Sequence, residues 1–228
     1  MRRRLFLLMM CVLALGSTAC ARNGRPAAGD WIVLFDGTDA SAWRAFNGAE
    51  LPAGWEVVDG ALTLTGEAGD IVTREKFANF ELELEWQIEA CGNGGVFFNV
   101  IENDSLQYVW QSGPEMQILD NTCHPDGKLP ETSAGSNFAV HAPARDITKP
   151  AGEWNHARLI HVDGHVEHWL NGEKMLEYEL GSADWNERVK NSKFATMPHY
   201  GTARSGHIAL QDHGNRVAFR NIRIRRLP

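Results

Sequence analysis

The chain has 228 residues, with 22 Lys or Arg against 29 Asp or Glu, and a formal net charge of −7 at pH 7. This length suits one large β-sandwich or two small domains, and no low-complexity break argues for two. The acidic excess argues against nucleic acid as a partner, because binding to phosphates depends on Lys and Arg.

The first residues predict a bacterial lipoprotein export signal. Arginines at positions 2–4 precede an apolar run over 5–15 that is too short to span a bilayer, and small residues lead to Cys20. We expect residues 1–19 to be removed and acyl chains on Cys20 to anchor the protein to a membrane, with residues 20–29 as a flexible linker. The product would be an exported lipoprotein facing the periplasm or cell surface. The alternative is plain secretion with Cys20 unmodified, because Ser17 stands where leucine is usual.

Residues 30–228 are expected to form a single domain, and alternation of apolar and polar residues predicts that it is all-β. Residues 80–89 alternate without a fault, and Asp-Gly or Asn-Gly pairs at 59–60, 163–164 and 171–172 supply the positive φ angles of tight hairpins. The predicted strands are 31–35, 55–58, 61–64, 80–89, 95–100, 115–119, three within 155–178, 207–211, and 217–225 with a bulge at 220–221. With one short helix at 183–189, this pattern indicates a sandwich or barrel.

Beyond Cys20 the chain has two cysteines, Cys91 and Cys123. In an oxidising compartment they could form a disulfide, but the spacing alone does not show that they are close.

Residues 115–121 carry the sharpest chemical pattern. Alternation places Glu115 and Gln117 on one face of a strand, and Asp120 joins them only if a bulge intervenes. This Glu-x-Gln-x-x-Asp spacing is similar to the Glu-x-Asp-x-x-Glu strand of laminarinase-type retaining glycosidases, with an amide in the middle and a shorter final acid. A retaining enzyme needs two carboxyl groups about 5 Å apart.

Further candidate residues lie on other strands and turns. Alternation in 207–211 places Gln211 away from the core with His213 just beyond, and His213 could carry protons near neutral pH. Glu85 projects from the polar face of strand 80–89, as a candidate substrate contact. Trp110 and Tyr200, in turn-rich segments, are candidates for stacking on sugar rings.

A loop over 120–127 collects possible metal ligands. Asp120, His124 and Asp126 could together hold a divalent cation, although such loops are more often ordinary turns. No cofactor is predicted beyond this possible divalent metal ion.

Several of these segments together resemble the 3-keto-disaccharide hydrolase family. The matching stretches are 34–37, 55–57, 80–82, 93–98, 115–121, 124–126, 149–155, 208–214 and 219–224, in the family's order. The resemblance implies a concanavalin A-like jelly-roll sandwich in an exported bacterial protein. It also implies a carbohydrate substrate, a glycoside oxidised to a ketone at sugar carbon 3.

A ketone at carbon 3 makes elimination the expected route, because it acidifies the hydrogen on carbon 2. A base removes that hydrogen, the enolate expels the carbon 1 oxygen, and water adds to the unsaturated sugar. On this hypothesis Glu115 and His213 are base and acid, in either order. Asp120 and His124 orient groups or hold a cation, and Gln117 and Gln211 contact substrate.

Two other functions stay open at this point. The same sandwich serves non-catalytic carbohydrate-binding modules, and the Glu-x-Gln-x-x-Asp strand leaves room for a direct retaining glycosidase acting on unoxidised glucans.

Overall fold

The computed structural model describes residues 28–228, a sandwich of two antiparallel sheets. The predicted signal peptide and all but the end of the predicted linker lie outside these residues. In chain order the strands are β1 (Ile32–Phe35), β2 (Trp43–Ala45), β3 (Trp55–Val58), β4 (Ala61–Leu64), β5 (Ile71–Thr73), β6 (Phe80–Ile88), β7 (Asn93–Val100), β8 (Glu115–Leu119), β9 (Asn155–Val162), β10 (His165–Leu170), β11 (Glu173–Glu179), β12 (His207–Leu210) and β13 (Val217–Arg226).

The larger sheet has the order β11-β10-β9-β6-β13-β4-β3, with β1 also paired to β13. The smaller sheet has the order β2-β5-β12-β7-β8. Most neighbours in these sheets are distant along the chain, which is the arrangement of a jelly roll. The predicted all-β jelly-roll sandwich is therefore confirmed.

The main core lies between the two sheets. Leu82, Leu84 and Trp86 from β6 pack in it together with Ile208 and Leu210 from β12. Because side chains alternate along a strand, the residues between them point to the outer faces. A second, smaller cluster lies on the outer face of the five-stranded sheet, formed by Val72, Phe97, Val100, Val109 and Ala209.

The outer face of the larger sheet is a ladder of ion pairs. Glu81, Glu83 and Glu85 on β6 pair across the sheet with arginines of β13. The basic C-terminal run is thus the solvated face of a strand. The bulge predicted at 220–221 is present: the register between β13 and β6 shifts after Arg220, and Asn221 has φ 53°.

Two elements escaped the sequence pattern. Strands β2 and β5 have three residues each, too few for alternation to stand out.

The predicted helix is present as α1 (Ala183–Lys190), and its N-cap Ser182 accepts a hydrogen bond from the Trp185 N–H at 3.1 Å. Within the described residues, no helix combines the length and apolar character needed to cross a membrane.

Cys91 and Cys123 form a disulfide, with Cα atoms 4.7 Å apart. The bond ties the turn before β7 to the loop after β8.

Candidate active site

A cavity of about 780 Å³ opens on the outer face of the five-stranded sheet. Its polar lining includes Asp70, Glu115, Gln117, Gln211 and His213. These side chains share a face because the residues next to them on the strands, such as Met116 and Ile118, point into the main core.

Strand register aligns the floor of this cavity. Leu210 of β12 lies opposite Ile71 of β5 and opposite Val96 of β7, so one step further Gln211 faces Asp70 on one side and Gly95 on the other. Gly95 in turn lies opposite Gln117 on β8. Asp70, Gln211, Gly95 and Gln117 therefore form one row across four strands. We call it the floor row.

Glu115 lies two residues before Gln117 on β8, on the same face of the sheet, and reaches into the floor row. A Cβ atom on Gly95 would meet the Glu115 carboxyl group within the 3.0 Å that real contacts avoid. The absence of a side chain at Gly95 therefore makes the space in which this carboxyl lies. A hydrogen bond fixes it further, because the Gln117 amide, turned so that both its polar atoms have partners, donates to Glu115 Oε1 at 2.8 Å and to the Gly94 carbonyl at 3.0 Å.

Burial controls the charge of Glu115. Loss of solvation raises the pKa of its carboxyl group to about 8, with further raising by Asp70 and Asp126, while the ammonium group of Lys193 opposes the shift. Glu115 is therefore protonated at neutral pH and can donate a proton.

Asp70 carries a second perturbed carboxyl. Burial raises its pKa to about 6, against hydrogen bonds from the backbone of Asp212 and Val109 that favour the charged form, while the charge of Asp212 raises it further. The Asp212 N–H donates to Asp70 Oδ1 at 3.0 Å. The Asp212 carboxylate itself holds the loop that precedes Asp70 and β5, because it accepts from the Ala68 N–H at 2.7 Å and from the Gly69 N–H at 2.8 Å.

One buried polar atom in the floor row has no protein partner. Within residues 28–228, Gln211 Oε1 makes no hydrogen bond although it is buried. Buried polar atoms are normally paired, so this unpaired oxygen, in a residue that lines the cavity, is an acceptor available to a donor on a ligand.

Aromatic and basic side chains form the rim. The rings of Tyr108 and Trp110 stack with centroids 5.0 Å apart, and Tyr108 is 49% exposed. His213 lines the cavity and packs edge-to-face with His124, with ring centroids 6.5 Å apart. Lys193 lies with Nζ 4.0 Å from the centre of the Phe138 ring, and desolvation lowers its pKa.

The structure brings together most of the residues singled out in the sequence. Glu115, Gln117, Gln211, His213 and Trp110 line this one cavity. Asp126 also lines it.

Two predicted substrate contacts lie elsewhere. Glu85 is on the outer face of the larger sheet, where Arg220 and Asn221 donate to its carboxylate. It does not line this cavity, because β6 belongs to the other sheet. Tyr200 is buried, its ring stacked on Phe194 at 3.9 Å between centroids, so it has no free face for a sugar.

Asp120 has a structural task. Its carboxylate accepts from the Cys91 N–H at 2.9 Å and from the Thr122 hydroxyl at 2.6 Å, which orders the loop after β8. No bulge turns Asp120 into the cavity, because β7 and β8 pair in unbroken register. The predicted catalytic role of Asp120 therefore has no geometric basis.

The predicted metal set is not assembled. Asp120, His124 and Asp126 are not among the groups of described residues whose ligand atoms converge within 4.8 Å. Asp120 points toward Cys91, and His124 Nδ1 accepts from the Asp126 N–H at 3.2 Å. These three residues do not fit a shared cation.

Sequence reasoning missed Asp70, Tyr108 and Lys193. Asp70 precedes a strand of three residues, and that strand would have had to be recognised before its face could be assigned. Tyr108 and Lys193 lie in loops, where no periodicity reports which way a side chain points.

Fold and cavity place the chain among jelly-roll sandwiches. A Bacillus subtilis protein with a galectin-like fold matches at a TM-score of 0.56 and 14% identity, covering 88% of this chain and 96% of that one, which shows the fold alone. The chain belongs to the family of the 3-keto-alpha-glucoside-1,2-lyase-like domain, whose family model matches residues 30–225.

Individual relatives agree with this assignment. A 3-keto-disaccharide hydrolase of Bacteroides thetaiotaomicron is 34% identical, over 87% of this chain and 79% of its own length. A Parabacteroides distasonis crystal structure, provisionally described as a glycosyl hydrolase, matches with a TM-score of 0.82 and 36% identity over 88% of this chain and 94% of its own. A second structure from that organism, described in the same way, has a TM-score of 0.69 and 26% identity, covering 87% and 100%.

Proposed function

We propose that this protein cleaves glycosidic bonds in 3-keto-glycosides by elimination followed by hydration. The observation that carries the proposal is the Glu115 carboxyl group, buried at the floor of the cavity in the space beside Gly95, where burial raises its pKa to about 8. Family membership and the 34% identical 3-keto-disaccharide hydrolase support the substrate class.

Glu115 acts as the acid. When the enolate expels the carbon 1 oxygen, that oxygen needs a proton, and a carboxyl group with its pKa near 8 still holds one at neutral pH. The Gly95 gap and the Gln117 amide hold the donor in one place, so little reorganisation precedes the transfer.

Gln211 binds the sugar, and Gln117 holds the acid beside it. Gln211 Oε1, buried and without a protein partner, accepts from a sugar hydroxyl, and the Gln211 NH₂ group offers N–H donors for oxygen atoms of the substrate. Both N–H hydrogens of Gln117 are engaged by Glu115 and Gly94. Donors near the ketone oxygen stabilise the enolate charge.

Tyr108 and Trp110 receive the outer part of the substrate. Their stacked rings lie at the rim beside open solvent, where aromatic faces suit the apolar faces of sugar rings. The cavity of about 780 Å³ has room for a disaccharide.

This geometry weighs against the two other functions. A retaining glycosidase of the laminarinase type would need a carboxylate partner for Glu115 from the same strand, and the Asp120 carboxylate is engaged with Cys91 and Thr122. A pure binding module has no need for one buried and one partly buried carboxyl group with raised pKa values, which cost stability and are typical of catalytic sites.

A paired assay tests the proposal. Purified protein should release free sugar from a 3-keto-glucoside and leave the parent glucoside intact, because only the ketone acidifies carbon 2. Equal rates on both substrates would contradict the elimination route, and binding without turnover of either would support the binding module.

A further inference from the structure

We infer that Asp70 is the base that removes the carbon 2 proton of the 3-keto sugar. The inference rests on the proposed function and assigns to this same cavity a catalytic residue on a different strand from Glu115.

Geometry puts Asp70 across the cavity from the acid. Asp70 and Gly95 are two strands apart in the floor row, about 10 Å at the usual strand spacing. The Glu115 carboxyl leans into the space beside Gly95, and Gln211 lies between the two acids. A sugar ring bound over Gln211 would therefore have one carboxyl group on each side.

The backbone holds Asp70 while leaving it able to accept a proton. Its carbonyl accepts from the Phe46 N–H at 2.9 Å, and its carboxylate accepts from the Asp212 N–H. A carboxylate has about four lone-pair sites, so the backbone bonds from Asp212 and Val109 do not exhaust it.

Charge separates the roles of the two acids. With pKa values of about 6 for Asp70 and about 8 for Glu115, the first is ionised and the second protonated at pH 7. Paired carboxyl groups whose environments separate their pKa values in this way divide into base and acid. The other titratable groups at the cavity are Asp126, Lys193, Asp212 and His213.

The other candidates are placed less well for this step. The Asp212 carboxylate accepts from three backbone N–H groups, those of Ala68, Gly69 and Gly214. His213 is exposed at the mouth, and the Asp126 side chain is 38% exposed. Asp70 is the carboxylate that belongs to the floor row itself.

The chemistry balances without an added oxidant or reductant. The C2–H bond breaks, the proton passes to Asp70, and the electron pair forms the enolate of the carbon 3 ketone. The enolate then restores the C=O bond and forms C1=C2 while the C1–O bond breaks, and Glu115 protonates the departing oxygen. Water next adds to carbon 1, giving a proton to the Glu115 carboxylate, and Asp70 returns its proton to carbon 2.

Leaving-group dependence separates the base from the acid. The test compares a 3-keto-disaccharide with a 4-nitrophenyl 3-keto-glucoside, because nitrophenolate departs without a proton. Asp70→Asn should lose about 10² to 10⁴ in kcat/KM on both substrates, the usual contribution of a proton-transfer group. Glu115→Gln should lose activity mainly on the disaccharide.

The matched control is Asp163→Asn, an exposed aspartate in the β9–β10 turn, far from the cavity lining. It should cleave both substrates at the wild-type rate. Wild-type protein that cleaves neither substrate would refute the proposed function. Wild-type cleavage with an Asp70→Asn variant as active as wild type, or impaired on the disaccharide alone, would refute the assignment of Asp70 as the base.

A second variant covers a failure of Asp70→Asn to fold. Asp70→Glu keeps a carboxylate on a longer side chain, so it should retain reduced activity with the acidic limb of its pH profile displaced from that of the wild type. An acidic limb that does not move would overturn the inference. Loss of that limb in His213→Gln instead would make His213 the base.

Discussion

The Glu115 carboxyl group occupies the space that a side chain on Gly95 would fill. These two residues belong to neighbouring strands, and their relationship fixes both the position and the burial of the acid. A sheet surface with a methyl group at position 95 would push the carboxyl outward, toward water, and its pKa would fall toward the ordinary value.

Gly95→Ala therefore tests how the acid is positioned. The added Cβ displaces the Glu115 carboxyl, and a misplacement of about 1 Å can cost roughly a hundredfold in rate, so we expect a loss of that size in kcat on a 3-keto-disaccharide. The control is Gly94→Ala, whose Cβ would meet Val217 at an ordinary distance of 3.8 Å. Similar activities for the two variants would contradict the role given to Gly95.

The pH profile of cleavage should be bell-shaped. Activity should rise through about pH 6 as Asp70 loses its proton and fall through about pH 8 as Glu115 loses its own. The measurement is kcat/KM on the 3-keto-disaccharide between pH 4 and pH 10. In Glu115→Gln the alkaline limb should disappear from the residual activity, and its persistence would assign that limb to another group.

Sequence patterns predicted the scaffold because alternation reports directly which way a strand residue points. Glu115, Gln117 and Gln211 were placed on the non-core face for that reason, and all three line the cavity. Alternation does not say which strands share a sheet. Glu85 satisfied the same rule as Gln117, yet β6 belongs to the other sheet.

The remaining errors have local causes. Asp120 reaches the cavity only if β8 bulges, and each residue of β8 pairs with one residue of β7, so β8 carries no extra residue. Asp70 escaped notice because the three residues of β5 carry too little pattern to define a face. Neither fact is visible without the pairing of strands.

The aromatic rim should contribute to binding more than to chemistry. Trp110→Ala removes one ring of the Tyr108–Trp110 stack, and at about 1 kcal/mol for an aromatic contact we expect KM to rise about fivefold, with kcat little changed. Steady-state kinetics with a disaccharide check this. The control substrate is an alkyl 3-keto-glucoside, which has no second ring to stack on Trp110, so its KM should rise less in the variant. The 4-nitrophenyl substrate is unsuitable because its own ring can stack.

The disulfide should stabilise the protein measurably. Closing a loop with a sequence separation of 32 contributes about 3 to 4 kcal/mol through the entropy of the unfolded chain, so Cys91→Ser should lower the melting temperature by roughly 6 to 16 °C. The wild type with reductant should melt near the variant, and the variant should not respond to reductant. If the oxidised wild type and Cys91→Ser melt at the same temperature, the disulfide does not stabilise the protein and this prediction is wrong.

Asp212 is a positioning residue whose replacement should disturb Asp70 without removing it. One of its carboxylate oxygens accepts from the Ala68 and Gly69 N–H groups, and the other accepts from the Gly214 N–H at 2.8 Å. In Asp212→Asn the NH₂ group must face a backbone N–H on one of these sides. That contact is repulsive, so the loop before β5 should loosen.

We expect Asp212→Asn to lose about tenfold in kcat on the 3-keto-disaccharide, because one charge-assisted hydrogen bond of roughly 1.5 kcal/mol no longer fixes the base. Hydrogen exchange of the Ala68 and Gly69 amides should accelerate at the same time. If Asp212 acted only as a catalytic group on the substrate, its replacement would not change the exchange of these amides. Asp212→Glu keeps both acceptors and should recover part of the rate. If Asp212→Asn slows cleavage while these amides stay as protected as in the wild type, Asp212 acts on the substrate directly and the positioning role is wrong.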